Sequence, residues 1–186
     1  MQFEIRETKY IPYHNSTAKE GLSDKIKKSS EKRKMNLFQL IWHKEKKNFL
    51  RWAAKHCKSN GLRIKMHRWR GVNIGQNVYI AKDCILDNSY PEFIYIEDNV
   101  GIANEVAIIT HTNPDLQFKN IVESCVKPVV IRKGAWIGMR STILRGVTIG
   151  EKSIVCAGTV VDKNVEDMTI VQGNPMKKVV NIAKMI

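Results

Sequence analysis

From Ile74 onward, aliphatic residues return at every sixth position. They run as Ile74, Ile80 and Leu86, then Ile96, Ile102 and Ile108, then Ile131, Ile137, Ile143, Ile149, Val155 and Val161. The residue four places after each is mostly small or β-branched: Val78, Cys84, Val100, Val106, Ala135, Ser141, Val147, Ser153, Thr159 and Val165. Neither the 3.6-residue period of a helix nor the two-residue period of a simple strand produces this phase. A residue that turns inward once in six positions, with a small residue near each corner, predicts a coil of short parallel strands. Each turn of such a coil buries little on its own and is held by its neighbours. The turn signals at 8–12-residue spacing of a sandwich, and the periods above thirty of a helical solenoid, fit less well.

The phase slips twice. Leu86 to Ile96 spans ten residues, which predicts a bulge near Asn88-Ser89-Tyr90-Pro91. Ile108 to Ile131 spans 23, so a loop must leave the coil between about Thr110 and Pro128. In solenoids such insertions form surface loops, where binding concentrates.

Upstream, Phe38, Ile41, Phe49, Trp52 and His56 recur at helical steps, interrupted by the polar run from His43 to Lys47, and predict a basic helix over about 36–58. Asn60-Gly61 reads as its stop, and Leu62-Arg63-Ile64-Lys65-Met66 alternates like a strand leading into the coil. Ser16 to Lys34 is rich in Lys, Ser and Glu and is expected to be mobile. The chain thus divides into a basic N-terminal extension (1–61), a repeat coil (62–172, with its loop at about 110–128) and a C-terminal tail (173–186).

Charge supports that division. Residues 1–70 carry 19 Lys+Arg against 6 Asp+Glu, whereas residues 71–186 carry 12 of each. The basic extension, with Trp42, Trp52 and Trp69, admits nucleic-acid binding, but no nucleic-acid motif is present and that partner is disfavoured. Contact of the basic helix with an anionic membrane surface fits its mixture of Lys, Arg and aromatics better, and packing of the helix on the end of an oligomer fits equally well. No apolar run approaches the roughly 20 residues of a membrane helix, and the charged N-terminus lacks a secretory signal, so the expected location is the cytoplasm, with peripheral contact at the inner membrane surface. Cys57, Cys84, Cys125 and Cys156 form no Cys-x-x-Cys pair and are expected as free thiols.

The runs Ala135-Trp136-Ile137-Gly138, Ile143-Leu144-Arg145-Gly146-Val147-Thr148-Ile149-Gly150, Ala157-Gly158-Thr159-Val160-Val161 and Gly173-Asn174-Pro175-Met176-Lys177, with Thr110-His111 at the start of the loop, resemble the hexapeptide-repeat acyltransferases. The maltose, galactoside and exopolysaccharide O-acetyltransferases are the nearest in kind, and the resemblance covers roughly residues 62–180. It implies a left-handed parallel β-helix, an all-β fold here carrying a basic, partly helical N-terminal extension and a short C-terminal helix. It also implies a homotrimer with sites between subunits, acetyl-CoA as co-substrate and a sugar or glycoconjugate hydroxyl as acceptor. Serine O-acetylation, amino-sugar N-acetylation and a non-catalytic scaffold stand as alternatives.

His111, the last histidine in the chain, is the expected catalytic base. A sugar hydroxyl is barely ionised at neutral pH, and an imidazole of pKa about 6.5 suits its activation. The resemblance places Asp87 and Trp136 at the acceptor, although an aspartate there also serves as an ordinary turn residue. Ala81, Lys82 and Asp83 stand where the family usually has an asparagine. The resemblance further places Gly138, Ala157 and Gly158 along the coenzyme A groove, with Lys163, Lys177 and Lys178 near the nucleotide phosphates. No metal site is expected: a β-helix carbonic anhydrase needs three zinc histidines, and His111 stands alone in the coil region.

Overall fold

The twelve hexad aliphatics stack in three in-register ladders. A computed structural model describes residues 3–14 and 36–184. In it, a first parallel sheet aligns Ile74 with Ile96, Ile131 and Ile149. A second aligns Ile80 with Ile102, Ile137, Val155 and Val171. A third aligns Leu86 with Ile108, Ile143 and Val161. The chain visits the sheets in turn, so residues Ile74–Leu86, Ile96–Ile108, Ile131–Ile143 and Ile149–Val161 form four successive coils. All twelve side chains are buried and belong to one continuous core. The corner residues from Val78 to Val165 are buried as well, which explains why they are small or β-branched.

Three residues beyond most inward aliphatics the backbone takes a positive φ: Asn77, Asp83, Asn99, Glu105, Gly134, Arg140, Gly146, Lys152 and Gly158. This left-handed residue turns each corner, and few of these positions use glycine. Glycine is compulsory for another reason at Gly138, where a Cβ would lie 2.5 Å from the Ala157 amide nitrogen of the coil above.

The basic region differs from its reading in the sequence. Helix α1 spans Leu37–His56, and a second helix, α2, spans Asn60–Trp69. Leu62–Met66 is therefore helical, and Asn60-Gly61 begins a helix instead of ending one. Ser59 caps α2, its hydroxyl accepting from the Leu62 N–H. The side chains that α2 buries, Arg63, Met66, His67 and, just past its end, Arg70, follow the helical step of three and four, a phase hidden by the alternation of Leu62, Ile64 and Met66. Met66 meets Leu50 and Ala54 of α1, while Arg63 donates to the Ile80 carbonyl and Asn60 bonds both Val78 and Ile80, so the coil starts near Val72.

Two further corrections concern the ends. The tail forms an antiparallel hairpin, Thr169–Gln172 with Lys177–Asn181, and a single 3-10 turn at Ile182–Lys184 takes the place of the expected C-terminal helix. The hairpin gives the last edge of the second sheet a hydrogen-bonding partner. At the other terminus, Lys9–Tyr10 pairs with Cys125–Val126 in the loop, so residues 3–14 lie on the coil. The segment expected to be mobile, Ser16 to Lys34, lies outside the described residues.

Replacing Ile137, fully buried at the centre of the second ladder, by alanine should cost about 2–5 kcal/mol. The midpoint of urea unfolding measures this, and an unchanged midpoint would show that the ladders carry little of the stability.

Candidate active site

Both slips in the hexad phase occur at the same corner, on adjacent coils. After Leu86 the chain bulges through residues 88–91, and after Ile108 it leaves through residues 110–128. The third sheet pairs Leu86 with Ile108, and the Asp87 N–H donates to the Ile108 carbonyl, so the two departures lie side by side. Asp87 and His111 meet there.

His111 stands three residues after Ile108, where other corners place a left-handed residue. It instead begins a short strand, His111–Thr112, that pairs antiparallel with Cys125–Val126. With Lys9–Tyr10 on the far side, three strands brace the segment that carries the imidazole. Its Nδ1 lies 2.6 Å from Asp87 Oδ2, and the side chain is 31% exposed. The Tyr90 ring packs 5.6 Å from it.

Asp87 is buried, and both of its oxygens are engaged. Oδ2 also accepts from the Thr110 N–H at 2.9 Å and the Thr110 hydroxyl at 2.8 Å. Oδ1 accepts from the Ser89 N–H at 2.8 Å and the Tyr90 N–H at 3.3 Å. Burial pushes this carboxyl upward, but the Thr110 amide, the His111 ring and the Thr110 hydroxyl together outweigh it and hold the pKa below its ordinary 3.8. An ionised carboxylate only accepts hydrogen bonds, so the proton of a neutral His111 sits on Nδ1 and Nε2 keeps its lone pair.

Behind this pair lies a buried arginine that sequence reasoning missed. Arg70 donates to the carbonyls of Leu86 and Asp87, each at 3.0 Å, and reaches Asn88 Oδ1 at 3.3 Å. It also contacts His67 Nδ1 at 3.0 Å. Burial, with Arg70 and Arg63 nearby, pushes His67 down to about 3, so it stays neutral and can accept from the guanidinium. Asn88 in turn donates to Asn48 of α1.

The other predicted residues lie elsewhere on the coil. A cleft of about 430 Å3 opens between the fourth coil and the terminal hairpin, lined by Cys156, Ala157, Gln172, Gly173, Asn174, Pro175 and Lys177. It brings together Ala157 and Lys177. Thr159 ties its walls, donating to the Cys156 carbonyl and accepting from the Gly173 N–H. Gly138 backs onto Ala157 from the coil below, and Gly158 sits at the corner with open space before it. Lys163 is exposed and does not line the cleft. Lys178 points away along the hairpin, paired with Glu166. Trp136 is exposed on the second sheet and lies over Gly101, where a Cβ would come within 3.4 Å of its ring.

Residues 128–163 match the family model described as bacterial transferase hexapeptide (six repeats). Over that stretch the coil is similar to the hexapeptide repeats of bacterial transferases. Its fold, a left-handed β-helix, is shared with a hexapeptide-repeat acetyltransferase of Vibrio cholerae solved in complex with acetyl coenzyme A: TM-score 0.59, 23% identity, covering 77% of this chain and 88% of that one. A maltose O-acetyltransferase of Clostridium difficile aligns with TM-score 0.56 and 26% identity over 77% of this chain and 88% of its own. A candidate acetyltransferase of Schizosaccharomyces pombe is 34% identical over 110 residues, which is 58% of this chain and 52% of the relative. The hexapeptide-repeat chain spans about half the length of most curated relatives it matches.

Because the Asp87 pKa is depressed in the folded state, its contribution to stability is complete above about pH 4 and is lost as the pH falls through the lower folded value. Asp87→Asn should therefore flatten the acid side of the stability profile. Urea midpoints measured from pH 7 down to pH 2.5 test this, and parallel profiles for the two proteins would contradict it.

Proposed function

We propose that the protein is an acetyl-CoA-dependent O-acetyltransferase acting on a hydroxyl of a sugar or glycoconjugate. The observation that carries this reading is the 2.6 Å contact between His111 Nδ1 and the buried Asp87, which leaves the other ring nitrogen of a partly exposed imidazole free to take a proton. His111 Nε2 accepts the acceptor's proton as its oxygen attacks the thioester carbonyl, and then returns a proton to the departing thiolate. Transfer is direct within a ternary complex, since among the described residues no serine or cysteine is hydrogen-bonded to a histidine; the His111 ring bonds Asp87 instead. Asp87 acts here as a positioning residue: its oxygens are fully occupied by the chain, so it fixes the ring and its tautomer and stabilises the imidazolium that forms.

The cleft above Ala157 suits the donor. Ala157 and Gly173 expose backbone without bulk, which lets a slender pantetheine arm lie close, and Lys177 at the rim offers a point charge to phosphate. The cleft and the histidine border the same third sheet at opposite corners, which favours completing each site from two subunits of a homotrimer. Exposed apolar side chains along the second and third sheets, Tyr79, Ile85 and Trp136, are the faces such an assembly would cover. In it Trp136 would lie against a neighbouring subunit or the acceptor. The proposed location is the cytoplasm, where acetyl-CoA is available.

Release of free thiol from acetyl-CoA, followed across a panel of sugars, amino sugars and serine, tests the reading. We expect turnover with a sugar hydroxyl. His111→Ala should lower that turnover by roughly 10²–10⁴-fold with the oligomer intact by light scattering. Undiminished turnover would remove His111 from the mechanism. Asp87→Asn should lower kcat more than it raises KM and displace the pH dependence of the reaction, which a purely structural aspartate would not do.

A further inference from the structure

The pair of N-terminal helices carries a surface that the proposed acetyl transfer does not use. Trp42, Phe49, Leu50 and Trp69 line a shallow cleft of about 680 Å3 between α1 and α2, with Glu45 and Lys46 beside it. Three of the aromatics are largely exposed: Trp42 at 66%, Phe49 at 63% and Trp69 at 64%. Trp52, 60% exposed, extends the surface, its ring 6.1 Å from Phe49 and 5.2 Å from His56. Trp69 comes from the second helix, so the two helices build one aromatic platform. Four large rings left in water at neighbouring positions are far more than the scattered exposed apolar residues normal on a protein surface.

The charge around the platform selects its partner. Residues 36–70 carry ten Lys+Arg and one Glu. Lys46, Arg51, Lys55, Lys58 and Lys65 are exposed. A second copy would bring the same positive face against itself. Residues 15–35, with seven Lys+Arg and three Asp+Glu, carry the same sign of charge. Both occupants are electrostatically disfavoured, and the complement is an anionic surface. Tryptophan side chains flanked by lysine and arginine suit the boundary between headgroups and acyl chains, where the rings enter the apolar margin and the cations meet phosphate. The shallow opening between two helices gives the rings a common face, whereas a single nucleic-acid strand is held by a charged groove that tracks its backbone. We propose that this platform docks the protein on the surface of an anionic phospholipid bilayer.

The experiment uses the full chain in its native assembly. Co-sedimentation with vesicles of phosphatidylglycerol and phosphatidylcholine is compared with pure phosphatidylcholine vesicles, at low and moderate salt, while tryptophan fluorescence is followed. Binding to the anionic vesicles, a blue shift on their addition and weakening by salt are expected. The double variant Trp42→Ala/Trp69→Ala should lower the partition coefficient at least tenfold, and Lys46→Glu/Arg51→Glu should lower it severalfold. Absence of binding and of any spectral shift in the unmodified protein would overturn the proposal, whatever the folding of the variants. So would partitioning that the aromatic variants leave unchanged while their circular dichroism remains native. Binding of an oligonucleotide that depends on the same tryptophans, with vesicles left unbound, would assign the platform to nucleic acid and overturn it equally.

Discussion

The structure depends on parallel strands stacking in register, aliphatic on aliphatic, along three ladders. Each strand is two or three residues long in most of the coil, far too short to be stable alone. Its backbone bonds only upward and downward to neighbouring coils, and its single inward side chain finds apolar company only in the ladder. Any departure from the six-residue phase must therefore be expelled to the outside and the phase restored afterwards. Both insertions obey this constraint: Ile96 resumes beside Ile74, and Ile131 resumes beside Ile96.

That constraint also makes the site. Two excursions expelled at one corner of adjacent coils must lie next to each other, and the core beneath gives them a rigid base. Asp87 comes from the start of the first excursion and His111 from the start of the second. A buried carboxylate is costly unless its oxygens are satisfied. Here the satisfaction comes from backbone N–H groups of the excursions themselves, at Ser89, Tyr90 and Thr110, so the loops and the charge stabilise one another. Arg70 holds the same corner from behind through the carbonyls of Leu86 and Asp87.

The coil was legible because its signal is periodic and its residues are buried without exception; every hexad aliphatic from Ile74 to Val161 lies in the core. His111 could be singled out because it begins the longer insertion. The pairing of Asp87 with His111 was hidden, because the partners of Asp87 are main-chain groups, the Thr110 hydroxyl and an imidazole 24 residues away, and a single sequence does not announce that two insertions share a corner. Counting hexads modulo three would have done so: Leu86 and Ile108 are both third in their coils. Helix α2 was misread because Arg63, His67 and Arg70, which supply most of its buried face, are polar. The periodicity of hydrophobic residues fails where a helix is held by buried arginines bonding to carbonyls. The pairing of Lys9–Tyr10 with Cys125–Val126 had no local signature, since two short strands far apart in the chain carry too little pattern to predict a partner.

The ladders tolerate a change that the proposed chemistry does not. Inserting a complete extra coil of three hexads would leave every aliphatic facing an aliphatic and both capped ends intact. Yet the imidazole stands at the end of the second coil and the cleft at the fourth coil and the hairpin, and each coil adds about 4.8 Å along the axis. Under the proposed chemistry, the number of turns between them sets the span that donor and acceptor together must cover, a length that the ladders themselves leave open.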